Sequence, residues 1–263
     1  MKDRDFWDSQ YRFSRILPDF EGALRTMASQ SANFAENVRL ERSEYGTHPR
    51  QWVEWTDGTG SEELLPVVLH GGYWRALEAE THRFLMHPLQ IHGAVVANIE
   101  YRLMPEIRLA DVVDDAKDAL HHLASKFPKA QLLLVGHSAG AHLALCAMTD
   151  SALTVRTRGI IALSGVYDLA PVARSFLQDE IHLTAQEIEA FSLKEETPRP
   201  PAVYVNGSEE THEFLRGGAL MSRGSKAVWH RIDGADHMSL TWMAAAEMAT
   251  IISKILPTEN PSD

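Results

Sequence analysis

Gly136-His137-Ser138-Ala139-Gly140 sets a serine between two glycines, directly after the run Gln131-Leu132-Leu133-Leu134-Val135 and directly before a helical stretch. A strand that turns sharply into a helix holds its central residue in strained backbone geometry, and glycines two before and two after let neighbouring chain pass without a Cβ clash. Ser138 Oγ then projects from the sheet edge as a nucleophile, and the helix amino terminus beneath it offers the free N–H of Ala139 to an oxyanion. A second donor is expected in His70-Gly71-Gly72-Tyr73-Trp74, just past Leu65-Pro66-Val67-Val68-Leu69. Without side chains, the amides of Gly71 and Gly72 can turn toward a developing alkoxide.

A serine hydroxyl is a weak nucleophile and needs a neutral imidazole, itself oriented by a carboxylate. Of the 13 histidines, His237 in Asp233-Gly234-Ala235-Asp236-His237-Met238 follows the last expected strand and precedes the terminal helix. There the order serine, acid, histidine places the base. His137 points away at the elbow and His142 lies one helical turn along, so both read as structural. The acid is expected in Asn206-Gly207-Ser208-Glu209-Glu210-Thr211, where spacing alone does not choose between Glu209 and Glu210. Asp168 is a third candidate, with a helix cap before Pro171 as its alternative role. Asp236, next to the base, reads as a turn former. His82, His87 and His92 recur at five-residue intervals and His121 and His122 are adjacent, but neither pattern shares a helical face, so no metal site is expected. Cys146 reads as a small buried apolar residue.

The elements that must hold these groups alternate between short apolar runs and longer helical ones, the pattern of an α/β fold with helices on both faces of a mostly parallel sheet. Strands are expected at Trp52 to Thr56, Pro66 to His70, Ala94 to Ile99, Leu132 to Val135, Gly159 to Leu163, Ala202 to Val205 and Ala227 to Ile232. A helix is expected over Asp111 to Phe127, where Val112, Val113, Ala116, Ala119, Leu120, Leu123 and Phe127 form one stripe. Others run from Ala139 to about Met148 and from Met238 to about Ile255, ending before Pro257. No repeat or Gly/Ser linker divides the chain, so a single domain is expected over 1–263. Residues 1–36 and 171–201, the latter with the Pro198-Arg199-Pro200-Pro201 break, fit the sheet poorly and are candidate cap or lid segments.

At 263 residues, 44% hydrophobic, the chain is long enough for a substantial core. A net charge of −11 leaves no basic field for phosphate backbones or anionic lipid, so neither nucleic-acid nor membrane binding is expected. One cysteine allows no internal disulfide and suits a reducing compartment, with cytoplasm as the default. The amino terminus carries charges where a signal peptide needs an apolar core. Oligomeric state is open, a homodimer included.

Together, His70-Gly71-Gly72-Tyr73-Trp74, Gly136-His137-Ser138-Ala139-Gly140 and the loop Gly207 to Phe214 resemble the kynurenine formamidase (arylformamidase) branch of the α/β-hydrolases over roughly residues 34 to 256. Related esterase branches more often carry HGGG where this chain has HGGYW. The resemblance implies the α/β-hydrolase fold and hydrolysis of N-formylkynurenine to kynurenine and formate, a step of tryptophan degradation, with no cofactor. It also implies that the acid lies four residues before Phe214, which selects Glu210, a position where many members carry Asp. Tyr73 and Trp74 are then candidates to flank an aromatic leaving group, and Arg75 and Arg102, after two strand ends, to meet a substrate carboxylate. A short-chain carboxylesterase is the alternative, and a small-molecule receptor without turnover a remoter one.

Overall fold

Burial of the central strands on both faces sets the architecture. In the computed structural model, which describes residues 2–58, 63–197 and 199–256, Val67, Leu132, Leu134, Ile160, Ala162 and Tyr204 join one apolar cluster. Val68, Leu133, Val135, Ile161, Leu163 and Val205 join another. Successive side chains of a strand leave opposite faces, so the two clusters are the two covered faces of one sheet.

Among the described residues the sheet has eight strands: β1 (Leu40–Glu44), β2 (Trp52–Thr56), β3 (Leu64–Leu69), β4 (Ala97–Ile99), β5 (Gln131–His137), β6 (Thr157–Leu163), β7 (Ala202–Gly207) and β8 (Ala227–Ile232). Their order is β1-β2-β4-β3-β5-β6-β7-β8. β2 is antiparallel to both β1 and β4, and the remaining pairs are parallel. Pairing Leu69 with Gly136, His137 with Leu163 and Leu163 with Val205 brings the ends of β3, β5, β6 and β7 to one edge. Loops that leave this edge carry the candidate chemistry.

Before the sheet come α1 (Arg4–Tyr11), α2 (Phe13–Ile16) and α3 (Phe20–Asn37), and between β4 and β5 lies α4 (Leu109–Lys126). The stripe expected on α4 is buried, Val112 to Leu123 at 1% exposure or less, and Asp111 accepts the Arg108 N–H to start the helix. Then follow α5 (Ala139–Cys146), α6 (Ser151–Arg156), α7 (Leu169–Val172), α8 (Gln178–Ile181), α9 (Ala185–Phe191), α10 (His212–Met221), α11 (Leu240–Ala246) and α12 (Met248–Ser253). No helix of the described residues is long and apolar enough to cross a membrane.

One strand was not expected, and three expectations need correction. β1 is an edge strand reading Leu-Glu-Arg-Ser-Glu, too polar to signal a buried strand. The Ala94 to Ile99 run pairs only from Ala97. The helix expected to reach Met148 stops at Cys146 and tightens into a 3-10 turn. The terminal helix is two, α11 and α12, broken at Glu247, whose carboxylate meets His230 of β8 at 2.8 Å. Pro198 and Pro257 lie outside the described residues.

The amino-terminal segment and the 171–201 segment meet each other over the sheet edge. The Phe176 N–H donates to Asp8 Oδ1 at 2.6 Å, Arg4 pairs with Asp179, and Tyr73 Oη donates to the Tyr11 carbonyl at 2.9 Å.

Candidate active site

Ser138 adopts φ 54° and ψ −115°, a conformation L residues rarely enter, between the end of β5 and the start of α5. Both flanking glycines are required by contact. A Cβ on Gly136 would lie 2.4 Å from the Ala141 nitrogen, and one on Gly140 would lie 2.1 Å from the Leu69 carbonyl oxygen. The Ser138 N–H is tied to the Leu163 carbonyl at 2.8 Å, and the residue lines the cavity described below.

Of the carboxylates weighed from the sequence, the fold brings Glu210 to His237. Glu210 is buried and its Oε2 lies 3.3 Å from His237 Nδ1. Its other oxygen accepts from the Gly207 N–H at 2.8 Å, Asn206 Nδ2 at 3.3 Å and the Ser164 hydroxyl. Those three donors hold the carboxylate plane and leave one oxygen for the imidazole. Glu209 faces solvent beside Ser208, Asp168 caps α7 through the Ala170 N–H and pairs with Arg216, and Asp236 accepts the N–H groups of Met238 and Ser239. Ser164 and Asn206 were not legible as site residues, because only the finished sheet sets their strand ends beside Glu210.

The loop after β3 corrects one expectation. The Gly71 N–H donates to His82 Nε2 at 3.3 Å, so the imidazole takes it out of reach of an oxyanion. Gly72, at φ 112°, and Ala139, the first residue of α5, keep N–H groups without a partner among the described residues. Behind the loop His82 Nε2 lies 3.4 Å from His137 Nδ1, and His137 Nε2 donates to the His237 carbonyl at 3.1 Å. His137 thus ties down the His237 backbone rather than pointing away. His142 Nε2 meets the Phe191 carbonyl at 2.9 Å.

Burial keeps these imidazoles neutral: His137 is held at about 3, His142 at about 4, and His82 well below its ordinary range. In the unfolded chain each takes a proton near 6.5. Between about pH 6.5 and 4 the unfolded state therefore binds more protons, and stability present above 6.5 is lost as pH falls. Each group contributes about 1.4 kcal/mol per pH unit in that window. Denaturant unfolding at pH 7.5 and 5.5 should show a loss of several kcal/mol, a slope that His142→Gln reduces. A flat profile would contradict the burial assignment.

Ser138, His137 and His237 line a cavity of about 350 Å³ with Gly72, Tyr73, Arg75, Phe176, Glu180 and the amino-terminal residues Tyr11, Arg12, Phe13, Phe20 and Leu24. Phe13 stacks on the His237 ring at 4.1 Å between centroids, and Phe214 packs on the same ring at 4.4 Å. Tyr11 and Phe13 were not legible as site residues, because only the folded chain brings its amino-terminal segment onto His237. Tyr73 is at the wall as expected, whereas Trp74 is fully buried, edge-on to His142, and does not line the cavity. Arg102 is consumed by Asp115 at 2.6 and 2.9 Å, which leaves Arg75 as the arginine of that pair at the cavity. No group of three metal-ligating side chains occurs among the described residues, and burial pushes the Cys146 thiol up to about 12.

A family model described as alpha/beta hydrolase fold matches residues 66–213. A kynurenine formamidase of Danio rerio is 28% identical over 269 residues and one of Drosophila melanogaster 29% identical over 272, each alignment covering 90% of both chains. Among solved structures, a protein of Silicibacter sp. TM1040 described as a thioesterase superposes with a TM-score of 0.85 at 23% identity, covering 94% of this chain and 98% of its own. That last likeness bears on the fold.

Proposed function

The chain belongs to the alpha/beta hydrolase family, and from that premise we propose that it hydrolyses a small aryl formamide, N-formylkynurenine, through Ser138, His237 and Glu210. The observation that carries the mechanism is the buried Glu210–His237 pair, 3.3 Å apart, set against the cavity that Ser138 also lines. Two kynurenine formamidase relatives, aligned over 90% of both chains, support the substrate.

In this mechanism His237 Nε2 takes the Ser138 hydroxyl proton as Oγ bonds to the formyl carbon, and the carbonyl oxygen becomes an alkoxide held by the N–H groups of Gly72 and Ala139. The imidazolium, stabilised by Glu210, gives that proton to the arylamine nitrogen as the C–N bond breaks. Water then loses a proton to His237 and attacks the formyl ester, releasing formate and returning the proton to Ser138. An arylamine leaves more readily than an alkyl amine, so no extended protease-type subsites are needed. Residues 1–36 and 171–201 act as the cap of a single domain in this reading, supported by Phe13 stacked on His237 and by Glu180 and Phe176 at the cavity wall.

The test is formate release from N-formylkynurenine beside hydrolysis of a short-chain p-nitrophenyl ester. The proposal expects a higher kcat/KM on the formamide; ester cleavage with negligible deformylation would keep the mechanism and discard the substrate. Gly72→Ala probes the oxyanion loop. A Cβ there would meet the Ala76 carbonyl oxygen at 2.0 Å at a φ of 112°, so the loop must shift and its amide with it. kcat should fall roughly 10²- to 10³-fold, with the fold monitored by circular dichroism. Unchanged turnover would remove Gly72 as a donor.

A further inference from the structure

We propose that Arg12, Arg75 and Glu180 form a subsite for the charged head of an α-amino acid, carboxylate on the two arginines and ammonium on the glutamate. The proposal rests on the reading above, that the cavity holds N-formylkynurenine, and assigns the residues that take its amino-acid head. Three segments far apart in sequence deliver these charges to one cavity wall: the α1–α2 junction, the loop after β3, and α8. None of them is needed by the proton transfers of Ser138 and His237.

Their present partners are incomplete. Arg75 Nε lies 2.6 Å from Glu180 Oε2, yet the two are not aligned as a hydrogen bond, and both atoms are shielded from solvent. Arg12 gives one terminal nitrogen to Asp8 at 2.9 Å and lays its guanidinium over the Phe176 ring at 3.9 Å, while its Nε is shielded with no acceptor. Both guanidinium side chains nevertheless keep exposed surface at the cavity, 25% for Arg12 and 31% for Arg75, from which a ligand carboxylate can accept.

The charge balance selects the ligand class. Arg12 and Arg75 are offset by Asp8 and Glu180, so these four charges sum to zero. A zwitterion enters the subsite without burying net charge, whereas a plain anion or a plain amine leaves one charge uncompensated.

Equilibrium binding of L-kynurenine, its methyl ester and its des-amino acid to the wild type, Arg75→Gln and Glu180→Gln tests this without requiring turnover. Arg75→Gln should weaken L-kynurenine and the des-amino acid about 10- to 100-fold, with a much smaller loss for the methyl ester. Glu180→Gln should weaken L-kynurenine and the methyl ester more than the des-amino acid. Equal losses across all three ligands would overturn the subsite, making the ion pair a loop tether. Head-group-dependent binding by an enzyme that deformylates nothing would leave the subsite standing and fail the proposed reaction; deformylation with head-group-independent binding would do the reverse.

Discussion

Ser138→Ala is expected to lower kcat for deformylation roughly 10⁶-fold, the scale seen when a serine hydrolase loses its nucleophile. The fold should be retained, because Ala at φ 54° meets the same backbone strain as Ser and the Ser138 N–H still reaches the Leu163 carbonyl. What turnover remains should come from the amides of Gly72 and Ala139 and from binding in the cavity, about 10³–10⁴-fold over water. His237→Ala should fall to a similar level, and the double variant should be little worse than either, because the two residues act on one proton. Single-turnover rates with melting temperatures measured in parallel check this. A double variant slower by the product of the single effects would mean that the two residues do not act as a unit.

Glu210→Gln should cost about 10⁴-fold in kcat with the geometry intact. Three donors, from Ser164, Asn206 and Gly207, surround one carboxylate oxygen, so a glutamine will turn its carbonyl toward them and its NH₂ toward His237. That NH₂ donates to Nδ1 and places the imidazole proton on Nε2, where it can no longer accept from Ser138. Glu209→Gln, one residue earlier but solvent-facing, should change kcat less than twofold. Comparable losses in both variants would remove Glu210 from its role.

The contrast between those neighbours shows where sequence reading stops. The Gly-x-Ser-x-Gly turn is legible because strain and close approach are local, decided within five residues and their flanking strand and helix. Which of two adjacent glutamates turns inward depends on Ser164 and Asn206, brought together only when β6 and β7 pair. The amide of Gly71 looked equivalent to that of Gly72 until His82, on a later 3-10 turn, claimed it. Trp74 follows the same motif as Tyr73, yet the chain turns its ring into the core beside His142. The buried parallel strands announce themselves as apolar runs, whereas β1 at the edge is polar and silent. Phe13 over His237 is a contact between the two ends of the chain, which no local pattern encodes.

The most direct test of the whole account is active-site labelling with an aryl phosphonofluoridate, followed by peptide mass mapping and residual activity on one preparation. One equivalent should be incorporated at Ser138, with deformylation and ester cleavage lost in proportion to labelling and with protection by excess N-formylkynurenine. Complete modification of Ser138 with deformylation intact would contradict the account.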